Sequence, residues 1–495
     1  MNLKSLAKDT ALYGLSSIVG RFLNYLLVPL YTIKIAAESG GYGIVTNLYA
    51  YTALLLVILT FGMETTLFRF SNKDGEDGRM VYSTTLRLVG LVCVAFVALV
   101  LGFLHPISGA LGYSDHPEYI GCMALIVAQD AFQAIMFSRL RQQQKPLRFV
   151  CLKFAFIIPN VLLNLFIFLV LPKFFPAHPQ WEALWQQYNY GVGFIFLVNL
   201  ICTTIVSLLF IPEIRGIFYG WDKKLAGRML SYTWPLLLFG IVGILNQVAD
   251  KILYPWLVPG PEGKVQLGIY GACVKIAMIM ALLTQAFRYA YEPLVFNGSR
   301  DKNSPETLRD GMKYFVIFAL LAWLAVLFYL PILRYLAGTG SYWSGLKVVP
   351  VVMMAEIFMG IFFNLSFWYK LTDQTWWGAI ISAAGALVMI AVNIVFVPRF
   401  GYMACAWGGF AGYGVGMLLS YILGQKKAPV PYDVKTMGAF LLLALALYGV
   451  SQLARRAMGL TLESPLDGGM IAWIGINTVL LAVYGVFTLR SLKRR

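Results

Sequence analysis

The chain has 495 residues, of which 59% are hydrophobic and only 13% are charged, and its mean hydropathy is +0.72. Soluble proteins carry charge on about a quarter of their residues, so this composition excludes a soluble protein and predicts an all-α polytopic membrane protein. The net charge of +16 does not indicate nucleic-acid binding, because the basic residues lie between apolar runs, where they orient loops toward the cytoplasm.

Fourteen apolar runs are long enough to cross a membrane, which takes about 20 helical residues. Two of them are interrupted by charge, the eighth by Lys275 and the tenth by Glu356. In chain order the predicted spans are 11–34, 42–62, 81–104, 118–138, 148–171, 190–211, 231–253, 267–288, 312–336, 346–368, 376–397, 402–423, 433–454 and 469–489.

Lysine and arginine are concentrated in alternate loops between these runs. The bias predicts that the N- and C-termini both lie in the cytoplasm. The longest loops, 172–189 and 296–311, are too short to fold as catalytic domains, so the protein is not predicted to be an enzyme. The opposite loops carry few basic residues, mainly Lys173, Lys264, Lys347, Arg399, Arg455 and Arg456.

The first span carries a permanent charge in its middle. Arg21 lies about eleven residues into the helix, or roughly 16 Å at 1.5 Å per residue, and Ser17 and Asn24 share its face. Arg21 either pairs with a carboxylate to fix helix packing or holds an anionic substrate group, for which the guanidinium suits phosphate. The candidate substrate-binding residues of this span are therefore Ser17, Arg21 and Asn24.

Two acidic residues lie at mid-depth, Asp130 in the fourth span and Glu356 in the tenth. Ionisable groups in the membrane usually face the bundle interior or a water-filled cavity. Each of these acids is a possible partner for Arg21. The alternative is that one or both are protonation or cation sites that couple transport to an ion gradient.

Lys153, Arg288 and Glu292 lie near the inner ends of their spans. Their simplest interpretation is that they are solvated residues at the mouth of the bundle. The alternative is that the cations form a basic surface that receives a phosphate from the cytoplasmic leaflet.

The seventh and eighth spans place ionisable groups in the outer half of the membrane. Asn246 and Asp250 share a helical face in the seventh span, and Lys275 lies at similar depth in the eighth. We expect an Asp250–Lys275 ion pair, with Lys275 otherwise available to a substrate. Lys251 is expected to extend outward toward the membrane surface.

The two halves of the chain resemble each other at an offset of about 225 residues. IVGRFLNYLLVPLY (18–31) matches IVGILNQVADKILY (241–254), and YGVG occurs at both 190–193 and 413–416. The repeat predicts two pseudo-symmetric six-helix lobes with a substrate path between them. The predicted lobes cover residues 1–215 and 216–425, and residues 426–495 add two further helices with a basic tail.

Cysteine and histidine do not indicate a metal or cofactor site. The six cysteines lie inside apolar runs without a CxxC pair, and the three histidines are scattered over loops. The sequence therefore predicts no disulfide framework, no metal site and no cofactor.

Several stretches carry a family resemblance in a consistent order, among them VPLYTIKIAAESGGYGIVTNLYAY (28–51), FGMETTLFRF (61–70), GIYGACVKIA (268–277), AFRYAYEPLVF (286–296) and GIFFNLSFWYKLTDQT (360–375). They resemble the Wzx-type polysaccharide or O-antigen flippases of the multidrug/oligosaccharidyl-lipid/polysaccharide exporter superfamily. The resemblance implies alternating access and a cationic cavity for an undecaprenyl-pyrophosphate-linked oligosaccharide. In related lipid II flippases, arginines on the first helix line that cavity, and Arg21 is the corresponding position here.

The predicted function is therefore that of a flippase, which moves the lipid-linked oligosaccharide from the cytoplasmic to the outer leaflet of the bacterial inner membrane. Its expected partners are this substrate, membrane lipids, and a glycan polymerase or glycosyltransferases, without nucleic acid. The alternatives are a multidrug or cation antiporter of the same superfamily, a lipid II flippase, and a membrane glycan polymerase or ligase. The last would need a large external loop that this chain lacks.

Overall fold

A computed structural model describes residues 25–73, 75–298, 304–372 and 374–493. All regular secondary structure in these residues is helical, which confirms the predicted all-α class. The helices are α1 (25–34), α2 (Gly41–Thr60), α3 (Met63–Ser71), α4 (Gly78–Gly102), α5 (Leu104–Ala110), α6 (Pro117–Gln142), α7 (Pro146–Leu165), α8 (Pro179–Gln187), α9 (Val192–Leu209), α10 (Ile211–Ile214), α11 (Lys223–Leu257), α12 (Pro261–Gly298), α13 (Ser304–Phe328), α14 (Leu330–Leu333), α15 (Val349–Leu365), α16 (Phe367–Leu371), α17 (Trp376–Phe400), α18 (Tyr402–Lys427), α19 (Val434–Ala457) and α20 (Gly468–Lys493).

Short irregular helices extend several of these elements. A π-helix, Phe166–Val170, continues α7, and 3₁₀ segments cover Ala37–Ser39, Leu171–Ala177, Arg215–Tyr219, Arg334–Ala337 and Gly340–Val348. Proline begins α6, α7 and α12, where its missing N–H is not needed by the first turn. Gly40, at φ +67°, separates the first 3₁₀ segment from α2, a conformation that glycine adopts without strain.

Within the described residues, thirteen helical segments are long and apolar enough to cross a membrane, so the chain is a multi-pass membrane protein. They match the second to fourteenth predicted spans one for one. Most of the first predicted span, 11–34, lies outside the described residues, and its described part is α1. Lys275 and Glu356 lie within α12 and α15 without interrupting either helix.

Contacts divide the chain into two units, one ending at Ile252 and one beginning at Leu253. The boundary falls inside α11. The lobes at 1–215 and 216–425 were predicted from the internal sequence repeat, whereas the two units are defined by contacts. The contacts therefore do not test the lobes, which stay a prediction.

In the first unit α6 is the central helix. It packs against α2, α4 and α9, and α7 packs on α9. A buried apolar cluster lies among α3, α4, α6 and α7 and includes Met63, Leu86, Ile135 and Leu152. Polar side chains on α6 are consequently enclosed by neighbouring helices.

Three ion pairs join the segments at the end of the first unit where α6 ends and α7 begins. Arg141 contacts Glu64 at 3.0 Å. Arg148 donates to both carboxylate oxygens of Glu213, at 2.5 and 2.8 Å. Arg228 pairs with Glu76. Part of the basic charge expected in cytoplasmic loops is therefore used to hold neighbouring segments together.

In the second unit the closest helix pair is α17 and α18. A Cβ atom at Gly412 would lie 2.8 Å from the carbonyl oxygen of Gly385, so only glycine permits this approach. Small residues at such crossings are typical of packed membrane helices. On the other side, α15 packs against α12 and α13.

The two C-terminal helices, α19 and α20, pack on α13 through polar contacts. Lys313 Nζ contacts Asp433 Oδ2 at 2.9 Å, just before α19. In α20, Asn477 Nδ2 donates to the carbonyl oxygen of Phe328 at 3.1 Å, and Tyr484 Oη donates to that of Ile317 at 3.0 Å. The hydrogen bond from Lys313 is the main cause that lowers the pKa of Asp433 to about 2.

Candidate functional site

The predicted residues of the first span, Ser17, Arg21 and Asn24, lie outside the described residues, and their roles stay predictions. The other predicted residues fall into two groups within the first unit and one group within the second, with Lys275 and Glu356 apart from these.

A hydrogen-bonded network connects α6 and α9 within the first unit. Gln133 Nε2 donates to the carbonyl oxygen of Thr203 at 2.9 Å and to Ser207 Oγ at 2.8 Å. Ser207 Oγ donates in turn to Gln129 Oε1 at 2.9 Å. Asn199 Nδ2 donates to Tyr49 Oη on α2 at 2.6 Å. We call this the α6–α9 network, with the members Gln129, Asp130, Gln133, Asn199, Thr203 and Ser207.

Asp130 is the charged member of the network, and Lys153 on α7 lies near it. The Lys153 charge acts on the Asp130 carboxylate through space. Thr203, whose Oγ1 donates to Asn199 Oδ1 at 3.3 Å, lies beside that carboxylate. Lys153 Nζ also lies 4.0 Å from the centroid of the Phe137 ring. Lys153 is therefore half-buried against α6, and its role at the inner end of the span stays a prediction.

Asp250, in the second group of the first unit, is only 6% exposed. Lys251 Nζ contacts its two carboxylate oxygens at 2.9 and 3.0 Å and donates to the carbonyl oxygen of Gln247 at 3.1 Å. The expectation that Lys251 extends outward is therefore corrected. The physical reason is that the buried Asp250 carboxylate would be costly without a nearby cation. The Asp250–Lys275 ion pair stays a prediction.

Polar contacts position this end of α11. Asn47 Nδ2 donates to the carbonyl oxygen of Lys251 at 2.8 Å, and Tyr113 Oη donates to Asn47 Oδ1 at 2.7 Å. Asn246, which was expected to share the face of Asp250, donates to the carbonyl oxygen of Val242 at 3.0 Å. These contacts fix the turn of α11 that carries Asp250, whose role in coupling or charge pairing stays a prediction.

Within the second unit, two cations lie over one aromatic ring. The centroid of the Phe363 ring is 4.0 Å from the Arg288 guanidinium carbon and 4.5 Å from Lys370 Nζ. Glu292 Oε1 lies 3.7 Å from Lys370 Nζ. We call Arg288, Glu292, Phe363 and Lys370 the Phe363 cluster. Its two cations and one carboxylate leave one positive charge in excess.

Arg288 is the exposed member of this cluster. Among the described side chains it has no carboxylate within ion-pair distance, whereas Lys370 has Glu292. The guanidinium lies over the Phe363 ring in a cation–π contact, and its N–H groups are donors that a ligand can use. This arrangement can receive an anion such as a phosphate.

Glu356 and Lys275 are half-buried residues of α15 and α12 in the second unit. Both helices belong to the same packed group, since α12 contacts α15. Their proposed roles in coupling and substrate binding stay predictions.

Sequence reasoning missed several of these functional candidates. Asn199, Thr203 and Ser207 recur every four residues, which places them on one face of α9, and this spacing was available as a signal. Lys370 follows the aromatic run FWY (367–369). Nothing local in the sequence shows that it lies beside Glu292, because α12 and α16 are far apart in the chain.

Comparison with known proteins adds a family and a fold. A sequence model of the family described as "Polysaccharide biosynthesis protein" matches residues 6–290, more than half of the chain. No match is found among the curated proteins compared by sequence.

Solved structures with a similar fold include one titled "Lipid II flippase MurJ, inward closed conformation". It has a TM-score of 0.72 and 16% identity, and the match covers 98% of this chain and 99% of that chain. An inward-facing multidrug resistance MATE family transporter of the MOP superfamily has a TM-score of 0.63 and 13% identity, with 82% and 93% covered. The MATE multidrug transporter DinF-BH has a TM-score of 0.58 and 15% identity, with 87% and 98% covered. At these identities the likeness establishes the fold alone.

Proposed function

Because the chain belongs to the polysaccharide biosynthesis protein family, we propose that it is a flippase that moves an undecaprenyl-pyrophosphate-linked oligosaccharide from the cytoplasmic to the outer leaflet by alternating access. The family and the MurJ-like and MATE-like fold agree with the resemblance seen in the sequence motifs. We place the protein in the bacterial inner membrane with both termini in the cytoplasm, where a glycan polymerase or glycosyltransferases would be its partners.

The Phe363 cluster carries this proposal. A pyrophosphate needs cations that are not already neutralised, and Arg288 is exposed and has no carboxylate partner among the described side chains. Charge-assisted hydrogen bonds from a guanidinium to phosphate are among the strongest in proteins. Both cations already contact the Phe363 ring, which fixes their position beside each other. The cluster therefore supplies the localised positive charge that a pyrophosphate requires.

Arg288→Gln tests the cluster directly, and Arg309→Gln is a matched control. Arg309 is also a basic residue of the second unit, but it pairs with Asp310 at 3.0 Å. The assay is translocation of lipid-linked oligosaccharide by purified protein in vesicles. Losing a hydrogen bond to a charged group costs about 1.5–3 kcal/mol, so we expect a roughly 10–100-fold loss in Arg288→Gln. Arg309→Gln should change transport less than about twofold.

Arg21 is tested in the same assay. Arg21→Ala should abolish transport while membrane insertion is kept, and Arg21→Lys should restore it only in part, because an ammonium lacks the planar fork of a guanidinium. Full transport by both Arg21→Ala and Arg288→Gln would reject an anionic cargo.

A multidrug or cation antiporter is the second candidate, and one observation favours it. The α6–α9 network places a carboxylate, Asp130, inside a membrane-spanning unit beside polar side chains from α9, as a proton or cation site requires. Drug transport driven by a proton gradient, lost in Asp130→Asn and kept in Arg288→Gln, would favour the antiporter over the flippase. A lipid II cargo would be distinguished by replacing the substrate in the same vesicles.

A further inference from the structure

A cavity of about 140 Å³ lies within the second unit, at the end opposite to the Lys313–Asp433 pair. Its walls come from the end of α13, from α14, from the segment before α15 and from the last turns of α19. Because one water needs only about 10–15 Å³ of such space, the cavity has room for a larger polar group. We call it the Arg455 pocket, and its lining includes Leu327, Leu330, Lys347, Tyr448, Gln452 and Arg455.

The polar side of this pocket comes mainly from one face of α19. Tyr448, Gln452 and Arg455 are spaced by four and three residues, so they project from the same side of the helix. Lys347 adds a second cation from a different element and is exposed, which connects the pocket with the surface. None of the described lining residues is acidic, so the two positive charges are not neutralised from within the walls.

Arg455 lacks part of its hydrogen bonding within the protein. Its Nε atom is buried and has no hydrogen-bond partner among the described residues. Its guanidinium carbon lies 5.7 Å from the centroid of the Trp473 ring, which is a weak contact at that distance. A buried donor without an acceptor costs free energy, so an external acceptor that enters the pocket would be favoured.

The walls of the pocket are held in place without a ligand. Trp323 Nε1 donates to the carbonyl oxygen of Pro350 at 3.1 Å, and Trp473 Nε1 donates to that of Ser451 at 3.0 Å. The fully buried Arg334 donates to the carbonyl oxygens of Leu462 and Ser464 at 2.6 and 2.8 Å. These bonds join α13, α15, α19, α20 and the loop after α19, and the cavity is therefore preformed.

The position of the Arg455 pocket along α19 indicates how deep the pocket lies in the membrane. The 24 residues of α19 span about 36 Å at 1.5 Å per residue, more than the hydrocarbon core of about 30 Å. Arg455 lies two residues before the end of the helix. The pocket is therefore at the level of the lipid headgroups, on the side that the predicted topology assigns to the outer leaflet. A guanidinium and an ammonium at that level can bind a phosphoryl group directly.

We propose that the Arg455 pocket binds the phosphoryl group of a membrane lipid, with Arg455 and Lys347 as the cations and Gln452 and Tyr448 as further hydrogen-bonding groups. The apolar residues Leu327 and Leu330 would contact the part of the lipid next to the phosphate. The phosphoryl group belongs either to an abundant anionic phospholipid or to a polyprenyl phosphate. The site does not depend on the proposed transport.

Native mass spectrometry of the full-length protein in detergent tests the proposal, with phosphatidylglycerol, a polyprenyl phosphate, phosphatidylcholine and inorganic phosphate as separate probes. Arg455→Gln should weaken binding of at least one of the two anionic lipids about tenfold or more, and Lys347→Gln about threefold. Arg456→Gln is the matched control, because Arg456 is the exposed neighbour of Arg455 and does not line the pocket. It should change binding less than twofold.

The lipid whose binding is weakened by Arg455→Gln and Lys347→Gln, but not by Arg456→Gln, identifies the source of the phosphoryl group. Arg455→Lys keeps the charge but loses Nε and should bind at an intermediate level. Lys347 is exposed, so Lys347→Gln stays informative even if Arg455→Gln does not fold. The proposal is overturned if neither Lys347→Gln nor any folded Arg455 variant weakens lipid binding, if Arg456→Gln weakens it equally, or if inorganic phosphate binds as tightly as the lipid. Arg309→Gln, whose residue lies in neither site and pairs with Asp310, should bind lipid normally. Translocation in vesicles is measured separately, so failure here is distinct from failure of the transport proposal.

Discussion

The α6–α9 network in the first unit and the Phe363 cluster in the second both place ionisable side chains on membrane-spanning helices, but their surroundings differ. Asp130 has Lys153 near it and belongs to a network of amide and hydroxyl groups. In the Phe363 cluster, Glu292 pairs with Lys370, and Arg288 is exposed without a carboxylate within ion-pair distance among the described side chains. An ionisable group with an opposite charge near it can stabilise helix packing or transfer a proton. A charged group that is exposed and lacks such a neighbour can bind a ligand.

The largest effect on stability should come from removing the Asp130 charge from the α6–α9 network. Asp130→Asn leaves the Lys153 ammonium without the nearby acid that acts on it, and losing an attraction between two half-buried charges costs about 1–2 kcal/mol. Thermal unfolding in detergent should show this loss of stability for Asp130→Asn. The double variant Asp130→Asn with Lys153→Gln should recover part of it, because no charge is left unmatched. Strictly additive losses would contradict a direct interaction.

Ser207→Ala is a control for the neutral part of the same network. Ser207 accepts from Gln133 and donates to Gln129, so its loss should cost about 1 kcal/mol and should not depend on the residue at position 153. Comparing the two variants separates the contribution of the charge pair from that of the hydrogen bonds.

A smaller effect, of opposite sign to that of Arg288→Gln, should come from the acid of the Phe363 cluster. Glu292→Gln removes the only carboxylate within ion-pair distance of Lys370 among the described side chains. A bound anion about 6 Å away would lose a repulsion of about 0.7 kcal/mol in water, which corresponds to roughly threefold tighter binding. The half-saturating concentration of lipid-linked substrate in the vesicle assay measures this. Weaker binding would mean that Glu292 contacts a hydroxyl of the cargo and does not merely neutralise Lys370.

The spans could be predicted because hydrophobicity is a local property of the sequence. Every run from 42–62 to 469–489 became a helical segment, and the charges Lys275 and Glu356 did not break their helices. Which side chains pair with each other is not a local property, because it depends on how the helices pack. Lys251 turns toward the buried Asp250, although its position next to the outer end of a span predicted that it would extend outward.

Only some of the residues in each site could be predicted, because pairing between distant parts of the chain is not visible in the local sequence. Arg288 and Glu292 could be selected from their position near the end of one span, but Lys370 comes from α16 and meets them only through packing. The spacing of Asn199, Thr203 and Ser207 did contain the information that α9 has a polar face. The unit boundary at Ile252 lies within a continuous helix, where composition gives no signal.

The Lys313–Asp433 pair differs from both groups, because its partners compensate each other at the end of the bundle. The Lys313 side chain is 9% exposed and the Asp433 side chain is 29% exposed. Solvent therefore screens the pair in part, and we expect it to contribute about 1–2 kcal/mol. The lowered pKa of Asp433, about 2, means that this stabilisation is complete above the unfolded value of about 3.9 and is lost as the pH falls through 2.

Asp433→Asn isolates that charge, because asparagine can still cap α19, as Asp433 does by accepting from the Thr436 N–H at 3.2 Å. The difference in unfolding temperature between the unaltered protein and Asp433→Asn should be small at pH 7 and should vanish toward pH 2. Asp433→Ala should lose about 1 kcal/mol more, at every pH. A difference that persists unchanged at pH 2 would show that the hydrogen bonds of the side chain, and not its charge, connect α19 to α13.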